Sequence, residues 1–350
     1  PVGGANDMKN TKVLIAPAGS GMAITAIKSL MLDSDIEIIV ADSNHLAPSM
    51  NMGLKSYTIP TIEDERFFPV LEQIIESESI DILIPCLDPF LIPVANNRER
   101  LEALGVKVMI SPVESIKLSR DKWEMYKKLK GKIPLPESWI DIKSVQSKNY
   151  PLFIKPRDGS GSIDAYRIEN SEELEFYFGR IKHPIIQEYL PGREYTVDCL
   201  TDLDGKLIVV SPRERIKTKA GICTISKTVK NPALEDISMK ITEKVYITGP
   251  FFFQAKEDKN GTPKVTELNI RLAGTMILTT KAGANIPLIA TKILLGEKVD
   301  KSPEVKEGFY LSRFWEEVYF SEESTIQELD RGNTNLTAVG FSLKSEHVIK

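Results

Sequence analysis

Cysteine and histidine are scarce in this chain, three of each among 350 residues. Cys86, Cys199 and Cys223 are widely spaced and form no Cys-x-x-Cys pair, which excludes a disulfide framework and suits a reducing compartment. His45, His183 and His347 fall in no ligand or triad spacing, which argues against a zinc hydrolase or a Ser-His-Asp enzyme. No stretch is apolar for the length a bilayer requires, and the N-terminus has no basic-then-apolar leader. The expectation is a cytoplasmic protein with no membrane partner. Neither sign of charge dominates: 45 basic residues face 49 acidic ones, for a net charge of -4, so nothing points to nucleic acid. Repeats and low-complexity segments are also missing.

What is present is length and pattern. A chain of 350 residues, 42% hydrophobic and 27% charged, can build two or three domains with sizeable cores. After a frayed tail over residues 1–8, strand-like runs (12–16, 36–41, 57–59, 82–85, 106–110) alternate with helical stretches at 22–32 and 67–78. That alternation predicts a parallel, doubly wound, Rossmann-like sheet. Gly19-x-Gly21 followed by Asp42 admits two readings, a dinucleotide fingerprint or a plain strand-to-helix turn. Ile24 at the third glycine position favours the turn.

From Ser111-Pro112 the texture changes. A lysine-rich helix over 115–130 leads through Pro134 and Pro136 to a strand at 152–155, a glycine loop Asp158-Gly159-Ser160-Gly161-Ser162 and a strand at 163–168. Helices are expected at 171–180, 233–246 and 278–295, and strands at 185–189, 193–200 and 206–211. Hairpins mixed with helices indicate an α+β unit. Residues after about 301 read as a charged tail on the surface.

The most telling segments are Thr248–Lys256 and Lys264–Arg271, joined by a link containing Asn260-Gly261, a strong hairpin signal. A tight turn puts Gln254 opposite Glu267. Alternation then sets Glu267, Asn269 and Arg271 on the face of Gln254, with Leu268 and Ile270 pointing away. Three oxygen ligands and a guanidinium on one strand face point to a hard cation and a phosphate. Pro263 works against the tight turn, because it cannot donate to a ladder.

Other residues read either way by themselves. Lys155 closes a strand beside Gly159-Ser160-Gly161 and can neutralise phosphate oxygens, or the loop is a simple turn. Lys122 reads equally as a solvated helical lysine. Gln187-Glu188-Tyr189-Leu190 and Glu194 read as strand and turn, or as an edge for a base and a ribose. Arg213, Arg215, Lys217 and Lys219 form a basic cluster, solvated or anion-facing.

Taken in order, these pieces resemble the ATP-grasp superfamily, most closely the ATP-binding domain of the carbamoyl-phosphate synthase large subunit, with a pre-ATP-grasp domain ahead of it. The resemblance implies a Rossmann-like domain over 1–114, an ATP-grasp N-lobe over 115–185, a C-lobe with the metal site over 186–300, and an extension over 301–350. It implies that Lys122 and Lys155 contact ATP phosphates under the loop Asp158–Ser162. Gln187, Glu188, Tyr189 and Leu190 then form the adenine hinge, and Glu194 holds the ribose. Gln254, Glu267 and Asn269 ligate magnesium, with manganese as an alternative, and Arg271 stabilises the transferred phosphoryl group. Arg213, Arg215 and Lys219 face substrate. Ile270 departs from the common Asn-Pro-Arg, and Gln254 stands where many relatives have an acid. The implied activity is ligation of a small-molecule carboxylate to an amine through an acyl phosphate, possible in a homodimer. Phosphorylation of bicarbonate or carbamate, or ATP binding without catalysis, are the alternatives.

Overall fold

Strand Thr11–Ala16 (β1) carries Val13, Leu14 and Ile15, all fully buried, because a parallel strand is covered on both faces. It lies at the centre of a five-stranded parallel sheet in the computed structural model, which describes residues 10–146, 150–159, 161, 163–299 and 302–321. The chain divides into two compact units. One holds the described residues up to Ile110 with Leu294–Glu297 and those from Trp315 on; the other holds Ser111–Ile293 and Lys298–Phe314.

In the first unit, helix α1 (Gly21–Leu30) follows β1 and is capped by Ser20, whose side chain accepts from Ala23 N. Then come β2 (Ile36–Asp42), β3 (Lys55–Thr58), α2 (Phe67–Glu78), β4 (Ile82–Pro85), α3 (Asp88–Asn96), α4 (Arg98–Glu102) and β5 (Lys107–Val108). Strand order is β3-β2-β1-β4-β5, the doubly wound arrangement expected from the alternation. The Gly19 turn is filled from within: Asp42 Oδ2 accepts from Gly19 N at 2.7 Å and Oδ1 from Asn44 N at 2.8 Å. Both carboxylate oxygens are engaged by the turn itself, which favours the plain reading of that motif.

The second unit begins with α5 (Val113–Arg120) and α6 (Lys122–Leu129), where one helix is expected from the pattern. Asp121 separates them. It adopts an extended conformation, caps α6 by accepting from Trp123 N and Glu124 N, and pairs with Arg157. Four strands, β6 (Ser138–Trp139), β7 (Leu152–Pro156), β8 (Tyr166–Ile168) and β9 (Pro184–Glu188), form an antiparallel sheet in the order β6-β9-β7-β8. Helix α7 (Ser171–Arg180) packs on it around Leu152, Ile154, Ile168, Leu174, Ile181 and Ile186. Because β9 pairs with β7 through Glu188, this lobe runs past the boundary expected at residue 185. Residues 163–165, expected as strand, precede β8 in a turn.

A six-stranded sheet completes the unit. Its strands are β10 (Glu194–Thr201), β11 (Leu207–Lys219), β12 (Ile222–Thr228), β13 (Gly249–Glu257), β14 (Pro263–Asn269) and β15 (Tyr310–Ser312), in the order β14-β13-β10-β11-β12-β15. Helices α8 (Pro232–Lys244), α9 (Ile277–Lys281) and α10 (Ile286–Leu294) accompany it. The single helix expected over 278–295 is broken at Gly283, which has φ +127° and lies so close to Glu304 O that a Cβ would sit 2.4 Å from it. The stretch beyond residue 301 is not merely a surface tail, since β15 pairs with β12. The expected tail over residues 1–8 lies outside the described residues.

Arg213 is the largest fully buried side chain among the described residues. Its Nε and Nη2 donate to the two Asp198 oxygens at 2.7 and 2.8 Å, and Nη1 donates to Thr275 Oγ1 at 2.9 Å. Thr279 Oγ1 donates to Asp198 Oδ2 at 2.6 Å. This corrects the expectation that Arg213 faces substrate: its charge is neutralised in the core, where it ties the segment after β14 to the sheet. Removing one member strands a buried charge, so Asp198→Ala is expected to destabilise the fold by about 3–5 kcal/mol. Urea unfolding measures this; a loss below about 1 kcal/mol would contradict the reading.

Candidate active site

The register of β13 and β14 places Gln254 directly across from Glu267, with Phe252 across from Asn269. A shift in register falls just after Gln254. The connection is wider than the two-residue turn expected. Glu257 pairs with Pro263, and Asp258 Oδ1 gathers the loop by accepting from Asn260 N at 2.9 Å and Thr262 N at 3.0 Å. Pro263 takes the first position of β14, where a residue without an N–H is tolerated.

Gln254 and Glu267 line a cavity of about 170 Å³ within the second unit. The same cavity is lined by Lys122, Lys155, Gly159, Gly161, Gln187, Glu188, Tyr189, Leu190 and Glu194. Segments far apart in sequence thus meet: the start of α6, the end of β7, the glycine loop, the end of β9 and the β13–β14 hairpin. Ser160 and Ser162 lie outside the described residues. Asp158 is exposed and faces His183 Nδ1 at 3.3 Å.

The charged groups are held by neighbours. Lys122 is only 4% exposed and its Nζ donates to Gly159 O at 2.7 Å, which anchors the glycine loop to α6. Lys155 Nζ donates to Thr266 O at 3.2 Å. Desolvation around this ammonium, with the Lys122 charge nearby, lowers its pKa to about 7. Glu188 is bridged by Lys264 Nζ at 2.8 and 2.7 Å, and Glu194 Oε1 lies 2.7 Å from Arg215 Nε. Arg215 Nη2 also donates to Gly221 O at 3.0 Å, at the tip of the β11–β12 hairpin. Residues 217–226 lie within that hairpin, at the end of β11, its tip and the start of β12. Gly221 packs against the Gly161 backbone, where a Cβ would meet it at 2.8 Å. Lys219 is exposed near the tip.

Asn269 Nδ2 is buried and has no hydrogen-bond partner among the described residues. This amide lies on the strand that carries Glu267, and rotated by half a turn it presents its oxygen, the donor type a hard cation takes. Arg271 lies just beyond β14, with Nη1 donating to Leu272 O at 3.0 Å and its guanidinium 5.1 Å from the Phe252 ring centre. No group of three His, Cys, Asp or Glu that could hold a metal exists among the described residues. Gln254, Glu267 and Asn269 offer side-chain oxygens of the kind a hard cation takes together with phosphate or water oxygens.

Sequence reading missed Phe153, Ile163, Lys256 and Thr266 of the cavity lining, and Lys264 on Glu188. The period of two along β13 was signal enough for Lys256, two residues beyond Gln254. Nothing local marked Phe153 or Lys264, whose roles come from strands brought together by the fold. Among the described residues no helix is long and apolar enough to cross a membrane.

Residues 180–316 match the family described as "ATP-grasp in the biosynthetic pathway with Ter operon", and residues 13–109 match "PylC-like, N-terminal domain". A carbamoyl-phosphate synthase of Methanobrevibacter smithii is 26% identical over 271 residues, 71% of each chain. A D-alanine–D-alanine ligase of Petrotoga mobilis is 32% identical over 105 residues, 29% of this chain and 35% of that one. The chain spans between 22% and 27% of the longer carbamoyl phosphate synthase large chains it matches. The biotin carboxylase domain dimer of Hydrogenobacter thermophilus 2-oxoglutarate carboxylase, solved with MgADP, ADP and bicarbonate, superposes with a TM-score of 0.69 at 16% identity, covering 86% of this chain and 73% of that one. The chain thus carries a PylC-like N-terminal domain followed by an ATP-grasp domain, with homology to the carbamoyl-phosphate synthase large chain.

Proposed function

We propose that this protein is an ATP-dependent carboxylate–amine ligase working through an acyl phosphate. The observation that carries the reading is the convergence of Lys122, Lys155, Glu194, Gln254 and Glu267 on one cavity beneath a glycine loop. In this reading the two lysines and the loop amides hold the triphosphate, the Gln187–Leu190 segment takes the adenine and Glu194 the ribose. Gln254, Glu267 and Asn269 hold the metal, for which the orphan amide and the mixed oxygen donors suit magnesium. A bound magnesium ion supplies charge neutralisation along the phosphates.

The chemistry asks for no protein nucleophile. A substrate carboxylate oxygen attacks the γ-phosphorus, the bond to the bridging oxygen breaks, and ADP leaves with that electron pair. An amine then attacks the acyl carbon and expels phosphate as it loses a proton. Positioning and charge account for the rate of such transfers, which fits a cleft of lysines, amides and an arginine. Arg271 is assigned to the transferring phosphoryl group, and Arg215 and Lys219 to the substrate side.

The reading is tested by an ADP-release screen over paired carboxylate and amine libraries with magnesium present. Release that needs both a carboxylate and an amine supports it. Release driven by bicarbonate alone favours the carbamoyl-phosphate-synthase-like alternative, which the homology over 71% of the chain keeps open. Nucleotide binding with no acceptor-dependent release leaves the non-catalytic alternative.

Lys155 makes nucleotide binding pH-dependent. Burial lowers the pKa of its ammonium to about 7, and phosphate oxygens beside it would raise that pKa again. Binding is therefore expected to take up a proton above pH 7, and affinity for MgADP to weaken as pH rises from about 6 to about 9. For folding the sign follows from the same depression. The unfolded chain binds the extra proton between about 7 and the ordinary value of 10.5, so this lysine's contribution to stability improves as pH rises through that range. Titration calorimetry in two buffers of different ionisation enthalpy reads the uptake, and equal apparent enthalpies at pH 8 would contradict it.

A further inference from the structure

Lys256 is a cation of the cavity with no assigned role. It lies two residues beyond Gln254 on β13, so both side chains stand on the face that lines the cavity. Ala255 and Glu257, which alternate with them, are buried on the opposite face. In the ladder Lys256 stands across from Glu194 on β10 and from Lys264 on β14. The ion pair of Glu194 with Arg215 extends this row of charges to β11.

The other members of the row are answered. Lys264 Nζ bridges the two Glu188 oxygens at 2.8 and 2.7 Å, and Glu194 Oε1 lies 2.7 Å from Arg215 Nε. Among the described residues no hydrogen bond or ion pair engages Lys256 Nζ. It does not turn to its cross-strand neighbour Glu194, although Cβ atoms so paired stand only about 5 Å apart. Its Nζ is instead 5.5 Å from the centre of the Tyr189 ring. That ring already carries the Arg167 guanidinium at 4.5 Å, and Arg167 Nε lies 2.7 Å from Glu169 Oε1. An ammonium has three donors, and a ring shared with a second cation offers them no acceptor atom.

The place of the ammonium says which acceptor fits. It lies on the Tyr189 side of Glu194, between the group assigned to the ribose and the segment assigned to the adenine. The 2′ carbon of a nucleotide is bonded to the carbon that bears the base, and the 3′ carbon is one bond further away. A carboxylate can only accept from a sugar hydroxyl, and an ammonium can only donate to one. Glu194 and Lys256 are therefore complementary partners for a hydroxyl at the junction of sugar and base.

We propose that Lys256 donates to the 2′-oxygen of the bound nucleotide, which makes the site choose ribonucleotides over 2′-deoxyribonucleotides. The proposal rests on the nucleotide reading above and adds to it the residue that selects the sugar.

The test is titration calorimetry of the full chain with MgADP and its 2′-deoxy and 3′-deoxy analogues, in wild type, Lys256→Met and Lys256→Gln. The wild type is expected to bind MgADP about 10-fold or more tighter than the 2′-deoxy form, as for loss of one charge-assisted hydrogen bond. In Lys256→Met that preference should shrink to about 3-fold or less, because MgADP weakens while the 2′-deoxy form changes by less than about 2-fold. The penalty for removing the 3′-hydroxyl should be equal in the two proteins. Melting without ligand checks that each variant is folded. Lys256→Gln carries the test if the methionine variant is not, and the wild-type comparison stands without either. The proposal is overturned if the wild type binds the 2′-deoxy form as well as MgADP. Equal weakening of all three nucleotides in the variants overturns it too, since an ammonium acting only through its charge on the phosphates gives that result. Absence of MgADP binding to the wild type takes down the nucleotide reading together with this one. MgADP binding with the same 2′ preference in wild type and variants overturns this one alone, leaving the sugar to Glu194.

Discussion

Glu267→Gln is expected to lower the rate of ADP release by about 100-fold or more at low millimolar magnesium. Glu267 is the only anionic member of the set formed with Gln254 and Asn269, and it stands directly across from Gln254 in the ladder. Replacing its carboxylate by an amide leaves shape and register intact but removes the one full negative charge these side chains offer to a cation. The loss should therefore shrink as magnesium is raised, because mass action compensates for weaker binding. Full activity in the variant across a magnesium titration would remove the cation from this strand pair. A variant with an altered melting temperature and no magnesium dependence would instead make Glu267 a structural residue.

Arg271→Ala is expected to lower kcat by about 100- to 1,000-fold while MgADP affinity changes little. Its guanidinium lies over Phe252 and bonds to the neighbouring Leu272 carbonyl, just beyond the strand that carries Glu267 and Asn269. A charge of this kind matters most where negative charge moves during phosphoryl transfer. Activity assays and MgADP titration on the same preparation separate the two effects. Parallel loss of both would assign Arg271 to nucleotide binding, and loss of neither would remove it from the site.

Much of this was legible because local rules acted alone. Helices Phe67–Glu78 and Ser171–Arg180 begin and end where the residue pattern places them, the second with Asn170 as its cap. The opposition of Gln254 and Glu267 was expected from a tight two-residue turn; the connecting loop is wider, and the pairing holds through a register shift just after Gln254. Elsewhere a long-range partner overrode local preference. The pattern over 115–130 is helical throughout, but Asp121 leaves the helix to cap α6 and to hold Arg157 on the glycine-loop side. The basic run from Arg213 to Lys219 looked like a single cluster. In the fold it separates into a core ion pair at Arg213, a tie to Glu194 at Arg215 and an exposed end at Lys219.

The sequence by itself determined the doubly wound first unit, the lobes that follow, and the residue types able to face phosphate and a cation. These depend on hydrophobic period, on turn residues and on side-chain chemistry, all written within a few positions. Only the tertiary structure decided which charges remain available. Asp198 consumes Arg213, Thr266 and Gly159 cap the two lysines, and Arg313 arrives beside Gly274 from an edge strand about forty residues downstream. Whether a charged group is neutralised depends on what stands within a few ångströms of it, and distance along the chain does not encode that.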